Sequence, residues 1–532
     1  MARVYSVWRP SRRSGCGTTL SQKRTSEKCH QRDLALCGQV AARRKINTDR
    51  PVHSADPRLQ KVAGAEATFS NAETRILKIS RKKAWSDIIK QMFRSALCVL
   101  LLATSAWPAD GEKDLQAASF ELVWSTLRDR YWDPTMAGRN WRSIHDAYRS
   151  QIEKAKTREE AGAVLRRMIR ELPSSHLAII PAALYRFSVS AQAKGIDKTK
   201  EDEQTDDDSG AVGVEIVAID RVLAVERIDP NGSAAKAGVH PGWIIQSVDG
   251  MAAAEFLKNA PSGLPEDRQQ FAQLMLDRWL HGPKGSTVKV EFRNTAGEPV
   301  MLPLVWEAPA GELVEFGNLP PEHVIIEHHL LPDGAGYIRL NLFLDPVLVM
   351  PEIALALQDF RNARGIVIDL RGNPGGLGVM AMGIAGWFIS KHGQRLGTMV
   401  SRDGKTPFEI NPRLEAYGGR LAILVDRGSA STTEILAQGL QDLGRARVFG
   451  THTAGAALPS EIVQLPNGDR FQYPEANYIS MKGRVLEGNG VEPDVVVRPT
   501  LAALKQGRDL PLEHATAWIK AGDASGKRGN AR

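Results

Sequence analysis

Cysteine is scarce in this chain and it stops early. Four occur in 532 residues, Cys16, Cys29, Cys37 and Cys98. With none beyond residue 98, the rest of the chain is excluded from disulfides, thiolate metal sites and cysteine nucleophiles. Scarce disulfides do not decide the compartment, because exported proteins need not carry them. No stretch is apolar for the roughly 20 residues that a spanning helix needs. Excess positive charge is missing from most of the chain as well. Residues 1–91 hold 20 Lys and Arg against 7 Asp and Glu, a net +13, while the remainder holds 49 against 54, a net −5. The overall +8 therefore does not describe a basic face for phosphate backbones, and a nucleic-acid partner is not expected.

The first 91 residues are rich in Arg, Ser and Ala with little apolar periodicity, and read as a disordered basic extension. Lys82, Lys83, Lys90 and Arg94 then precede an uncharged run, Ala96 to Trp107, followed by small residues to Ala109. That is the texture of a secretory signal peptide over 92–109. It makes best sense if translation starts at Met92, with 1–91 a mis-assigned upstream extension. The alternatives are a genuine basic tail before a membrane anchor or buried helix, and an Arg-rich organelle leader. An exported protein, periplasmic or extracellular, with no stable membrane span after cleavage is the expectation.

Residues 110–190 are expected to form a helical subdomain, with Phe120, Val123, Trp124, Leu127 and Tyr131 at helical spacing, and Val164, Leu165, Met168, Ile169 and Leu172 again. An acidic linker, 191–209, follows. Residues 210–306 alternate short β-rich runs with turns. The stretch 231–250 holds a short helix, Ser233–Ala237, stopped at Gly238, then a strand ending in the Asp249-Gly250 turn. It resembles a PDZ domain. On that resemblance Gly210, Ala211, Val212, Gly213 and Val214 form the loop whose backbone N–H groups hold a peptide C-terminus. The plain alternative is a β-rich domain that binds nothing.

From residue 334 the pattern becomes α/β. A buried strand, Gly365–Leu370, enters the turn Arg371-Gly372-Asn373-Pro374-Gly375-Gly376. A second, Leu421–Val425, enters Asp426-Arg427-Gly428-Ser429-Ala430-Ser431 before a helix from Thr432. Two strand–turn–helix units place both turns at one sheet edge, a usual position for an active site. Ser431 at such a junction is a candidate nucleophile, its helix start offering N–H groups to developing negative charge. Ser431-Thr432-Thr433-Glu434 is equally a capping box, which spacing alone favours. His176 alone would be structural, and Glu487 alone a solvated loop carboxylate. His328 and His329 alternate on a strand-like segment without partners, so no metal is assigned, and no cofactor.

Several motifs in order resemble the C-terminal processing (tail-specific) serine peptidases. They are Asp369 to Gly376, Gly428 to Leu436 with its continuation to Ala446, and Gly490 to Asp494. The resemblance covers about residues 115–500 and implies a mixed α/β core of the ClpP/crotonase-like type over 320–505. A helical subdomain precedes it, a PDZ-like domain is inserted, and a tail, 506–532, follows. It places Ser431 at the nucleophile position. The Ser–Lys branch of the family carries its lysine in a turn that here reads Thr453-Ala454-Gly455-Ala456-Ala457. Ala456 stands at the lysine position and cannot take a proton. Ser175-His176 and Leu486-Glu487-Gly488 instead resemble the tricorn-core-like branch. That resemblance implies His176 as base, Ser175 and Glu487 as its support, and oxyanion N–H groups near Gly375, Gly376 and Thr432. It implies polypeptide substrates, recognised by their C-termini. A catalytically inactive binding protein of the same fold is the alternative.

Overall fold

The computed structural model describes residues 112–182, 209–258, 265–316, 319 and 321–526. The expectations for 1–109 and for the acidic segment up to residue 208 lie outside these. Among the described residues no helix is long and apolar enough to cross a membrane.

Three helices open the described chain: α1 (Glu112–Arg130), α2 (Trp141–Lys154) and α3 (Arg158–Ile169). The side chains of Asn140 and Thr157 cap α2 and α3 by accepting from Ser143 N and Glu160 N. Their apolar faces bury Phe120, Leu127, Leu165 and Met168 against Phe471 and Tyr473 from a distant hairpin. Strand β1 (Ala178–Ile180) then pairs with that hairpin, Ala178 opposite Gln472. The segment between α3 and β1, which holds Ser175 and His176, is thereby tied at both ends to the C-terminal half.

The middle region is a five-stranded antiparallel path with a core of its own, built from Val214, Val225, Val288 and Phe292 among others. Its elements are β2 (Ser209–Ala211), β3 (Val214–Ile219), β4 (Val222–Ile228), α4 (Ser233–Lys236), β5 (Ile244–Val248), β6 (Met251–Ala252), α5 (Ala253–Lys258), α6 (Pro265–Trp279), β7 (His281–Pro283), β8 (Thr287–Arg293) and β9 (Pro299–Val305). The order is β3-β4-β5-β8-β9, so β3 is an edge, and α6 packs beside it.

After the ribbon β10 (Glu312–Val314) and β11 (Glu322–Val324), the α/β core is laid out in sequence order. It runs β12 (Ile326–Leu330), β13 (Gly336–Leu340), α7 (Pro346–Asp359), β14 (Gly365–Asp369), α8 (Gly378–Gly386), β15 (Arg395–Ser401), β16 (Gly404–Glu409), β17 (Arg420–Val425) and α9 (Thr432–Asp442). It continues with β18 (Arg447–Gly450), β19 (Ser460–Gln464), β20 (Arg470–Pro474), β21 (Ala476–Ser480), β22 (Val495–Val496), α10 (Leu501–Lys505) and α11 (Leu510–Gly526). The main sheet has the order β12-β13-β14-β17-β18-β22 and is parallel except at β12. Every residue of β14 is buried, as a strand covered on both faces requires. One face meets α7, α8 and α9 through Ile353, Met380 and Leu436. The other meets α11 through Ala515 and Ile519. Residues 506–532, expected as a tail, thus contain a helix that completes the core. Parallel pairing brings the turns after β14, β17 and β18 to the same edge of the sheet.

Candidate active site

The turn after β17 is stitched to the turn after β14 before it delivers Ser431. Asp426 accepts from Gly428 N (2.9 Å), Ser429 N (3.1 Å) and, across the strands, Gly372 N (2.8 Å). Ser429 Oγ donates to the Leu370 carbonyl (2.8 Å), and Ala430 N donates to that of Asn373 (3.0 Å). Ser431 follows with φ 55° and ψ −118°, a region that a side-chain-bearing residue occupies at a cost of about 1–3 kcal/mol. Its N–H holds the strained position by donating to the Ala456 carbonyl (2.8 Å) and to Glu434 Oε2 (3.0 Å).

Glu434 is a site residue that sequence reading placed only in a capping box. It is wholly buried and accepts four bonds: from Thr453 Oγ1 (2.5 Å), Gly455 N (2.8 Å), Ala456 N (3.0 Å) and Ser431 N (3.0 Å). Burial pushes its carboxyl up to about 7, against the four donated bonds that pull it down. The turn that lacks a lysine is therefore organised by a carboxylate, and Ala456 contributes its backbone at both N and O.

The same turn connects Ser431 to the second cluster. Ala457 N donates to Glu487 Oε2 (3.2 Å). Glu487 in turn accepts from Ser175 N (2.8 Å) and Ser175 Oγ (2.9 Å), and Ser175 Oγ lies 2.6 Å from His176 Nδ1. Since the single serine hydroxyl proton goes to the carboxylate, Nδ1 is the donor to Ser175 Oγ, and Nε2 is left as the ring's acceptor. His176 is 1% exposed, and burial lowers its pKa from 6.5 to about 3, so the ring is neutral. Glu487 is raised by burial and lowered by the bonds from Ser175 and Ala457. The four residues expected to act together, Ser431, His176, Ser175 and Glu487, are thus linked through Ala456 and Ala457.

Gly375 lies against the serine from the β14 turn and Gly376 follows it against Phe343, with φ of 103° and 132°. A Cβ on Gly375 would fall 2.7 Å from Ser431 Cβ, and one on Gly376 would fall 2.1 Å from the Phe343 carbonyl. Only glycine allows this approach. Gly375 N donates to Asn373 Oδ1 (2.9 Å), so this glycine, one of the two expected near an oxyanion, spends its donor within the turn. Thr432 Oγ1 donates to the Gly376 carbonyl (2.7 Å), which joins the helix start to the second glycine.

The expected carboxylate loop of the middle region is narrowed in the same way. Ala211 N donates to the Glu307 carbonyl (2.8 Å) and Val212 N to that of Leu280 (3.3 Å). Gly210 lies in β2, and Gly213, with φ 79°, turns the chain into Val214. Among the described residues no three His, Cys, Asp or Glu side chains are grouped to hold a metal.

Residues 334–497 match the family model Peptidase family S41, and residues 116–170 match the Tricorn protease C1 domain. A probable CtpA-like serine protease of Staphylococcus haemolyticus is 25% identical over 57% of this chain and 55% of its own length. The chain thus spans little more than half of that relative. A carboxyl-terminal-processing protease of Picosynechococcus sp. is 25% identical over 81% of this chain and 96% of its own length. Among solved structures, mature CPAF aligns over 77% of this chain and 97% of its own, with TM-score 0.51 and 14% identity, a likeness of fold.

Proposed function

From a chain that carries a peptidase family S41 domain over residues 334–497, we propose a serine endopeptidase that cleaves polypeptides through an acyl-enzyme. The observation that carries this reading is the strained Ser431 at the start of α9, bonded through Ala456 to the turn that holds Glu487, Ser175 and His176.

The steps follow from the donors and acceptors. His176 Nε2 takes the proton of Ser431 Oγ as the oxygen attacks the scissile carbonyl. It returns that proton to the leaving amine. The Nδ1–H to Ser175 to Glu487 relay holds the tautomer and stabilises the imidazolium as it forms. Glu487 is the charge that makes this possible in a buried site. The tetrahedral oxygen is received by the N–H groups of Gly376 and Thr432, with Gly375 acting through its shape. Water then hydrolyses the acyl-serine with the same base. The middle region is read as a PDZ-like domain that takes a substrate C-terminus at Gly213 and Val214 and adds the peptide along β3. The basic and apolar pattern at 82–109 supports export to a periplasm or the cell exterior.

Cleavage of an unstructured protein by the full chain tests the reading, beside Ser431→Ala and His176→Ala. Both substitutions are expected to remove at least about 10³-fold of the rate. Full activity in the His176 variant would place the base elsewhere. An inert but folded wild type would favour a binding protein that keeps the fold.

A further inference from the structure

If β3 is a peptide-binding edge, as proposed above, α6 lies beside the position a bound peptide would take. The connection between β3 and β4 is the two residues Asp220 and Arg221, with φ of 48° and 67°. Such a hairpin makes Ile219 and Val222 a hydrogen-bonded pair and Ala218 and Leu223 a non-bonded one. The N–H of Ala218 therefore points away from β4, and because β3 is the sheet edge, it points to where an added strand would lie. That donor is already used. Gln273, on α6, accepts from Ala218 N at 3.2 Å. At the other end of the groove Val212 N donates to the carbonyl of Leu280, just past α6, at 3.3 Å. Between them Ala272 and Leu276 are buried in the same core as Val214 and Ile216.

We propose that Gln273 acts as an internal competitor for the peptide groove. Its side-chain amide occupies the backbone donor that an incoming C-terminal peptide must use. A ligand enters only by exchanging its own carbonyl for Gln273 Oε1 at Ala218. The displaced amide then faces the ligand with a donor and an acceptor.

The test measures binding of a short fluorescein-labelled peptide that ends in an aliphatic residue with a free carboxylate. Its C-terminal amide is the control. The protein is the full chain with Ser431→Ala, so that nothing is cleaved. Adding Gln273→Ala, which leaves a strong helix former in α6, removes the competitor and is expected to tighten binding about 2- to 10-fold. Adding Gln273→Glu supplies a charged acceptor to Ala218 N and is expected to weaken it. Equal affinities in all three proteins, with the free acid still preferred over the amide, overturn the competitor and leave the groove. No preference for the free acid in any of them overturns the groove and the competitor together.

Discussion

At the scale of single residues the site depends on one carboxylate that sequence pattern assigns to a helix cap. Glu434 does accept from the backbone of Ser431, as a cap would, but it also gathers Thr453, Gly455 and Ala456. Pattern could not show this, because those partners lie about twenty residues on and meet only when β17 and β18 pair. The positive φ of Ser431 was equally invisible, since it is imposed by the two acceptors of its N–H. Motif order pointed to Ser431, His176 and Glu487, because order survives where geometry cannot be read, and the hydrogen bonds join the segments that carry them. A pH prediction follows. Burial lowers His176 to about 3, so protonation of the proposed base is not expected to limit activity near neutrality. Glu434 is raised to about 7, and below that value its proton displaces a donor from the cage around Ser431. Activity as kcat/KM is expected to rise with pH through about 7, and Glu434→Gln should abolish this limb while lowering the plateau. Stability moves the other way. A folded pKa of about 7 above the ordinary 4.5 favours the protonated form in the fold, so this contribution is lost as pH rises from 4.5 through 7. A limb that persists unchanged in Glu434→Gln would assign it to another group.

At the scale of elements, β14, β17 and α9 were legible from buried runs ending in glycine-rich turns, to within a residue or two. Two helices were not. Helix α6 lies inside a region read as β-rich, and α11 inside a region read as a tail. Each buries an apolar face against strands far away in sequence, α11 through Ala515 and Ile519 on the main sheet. The spacing of such residues is visible, but its partner is not. The β14 turn gives a prediction that separates backbone shape from backbone crowding. Gly372 has φ 69° with nothing near a Cβ, whereas Gly376 has φ 132° and a Cβ there would strike the Phe343 carbonyl. Gly372→Ala is expected to cost about 1 kcal/mol of stability and to keep activity. Gly376→Ala must move the strand end or the turn, and is expected to lower kcat by about 10²–10³-fold, the scale of losing an oxyanion donor. Similar kcat values in the two variants would remove Gly376 from the oxyanion assignment.

At the scale of the whole molecule, the middle region, the sheet and the last helix meet at one buried carboxylate. Asp369, at the end of β14, is fully buried and accepts from Arg371 Nε (2.9 Å) and Nη2 (2.6 Å), Arg227 Nη2 (2.8 Å) and Tyr337 Oη (2.8 Å). Arg227 comes from β4 of the middle region, and Arg371 also grips Asp509 just before α11 (2.9 and 2.6 Å). The Arg227 and Arg371 guanidiniums, against the cost of burial, hold the Asp369 carboxyl well below the usual carboxylate range. Glu226, beside Arg371 at 3.8 Å, is pushed up to about 7 by burial and does not replace that charge. Asp369→Asn keeps the shape but leaves the buried Arg371 guanidinium with Asp509 and the partly buried Arg227 with Glu215 at 3.5 Å, and removing one partner of a buried charge costs about 3–5 kcal/mol. Asp509 is a third exposed, so Asp509→Asn is expected to cost distinctly less. Because Asp369 is depressed, its contribution is present above the ordinary value near 3.9 and is lost as pH falls below it. Urea unfolding across pH 3 to 7 is therefore expected to show an acid-side slope in the wild type that flattens in Asp369→Asn. If Asp369 also couples the two cores, the variant should unfold in two separated transitions, the middle region apart from the α/β core. A single transition displaced by less than 1 kcal/mol would mean that the carboxylate neither supports the sheet edge nor joins the domains across it.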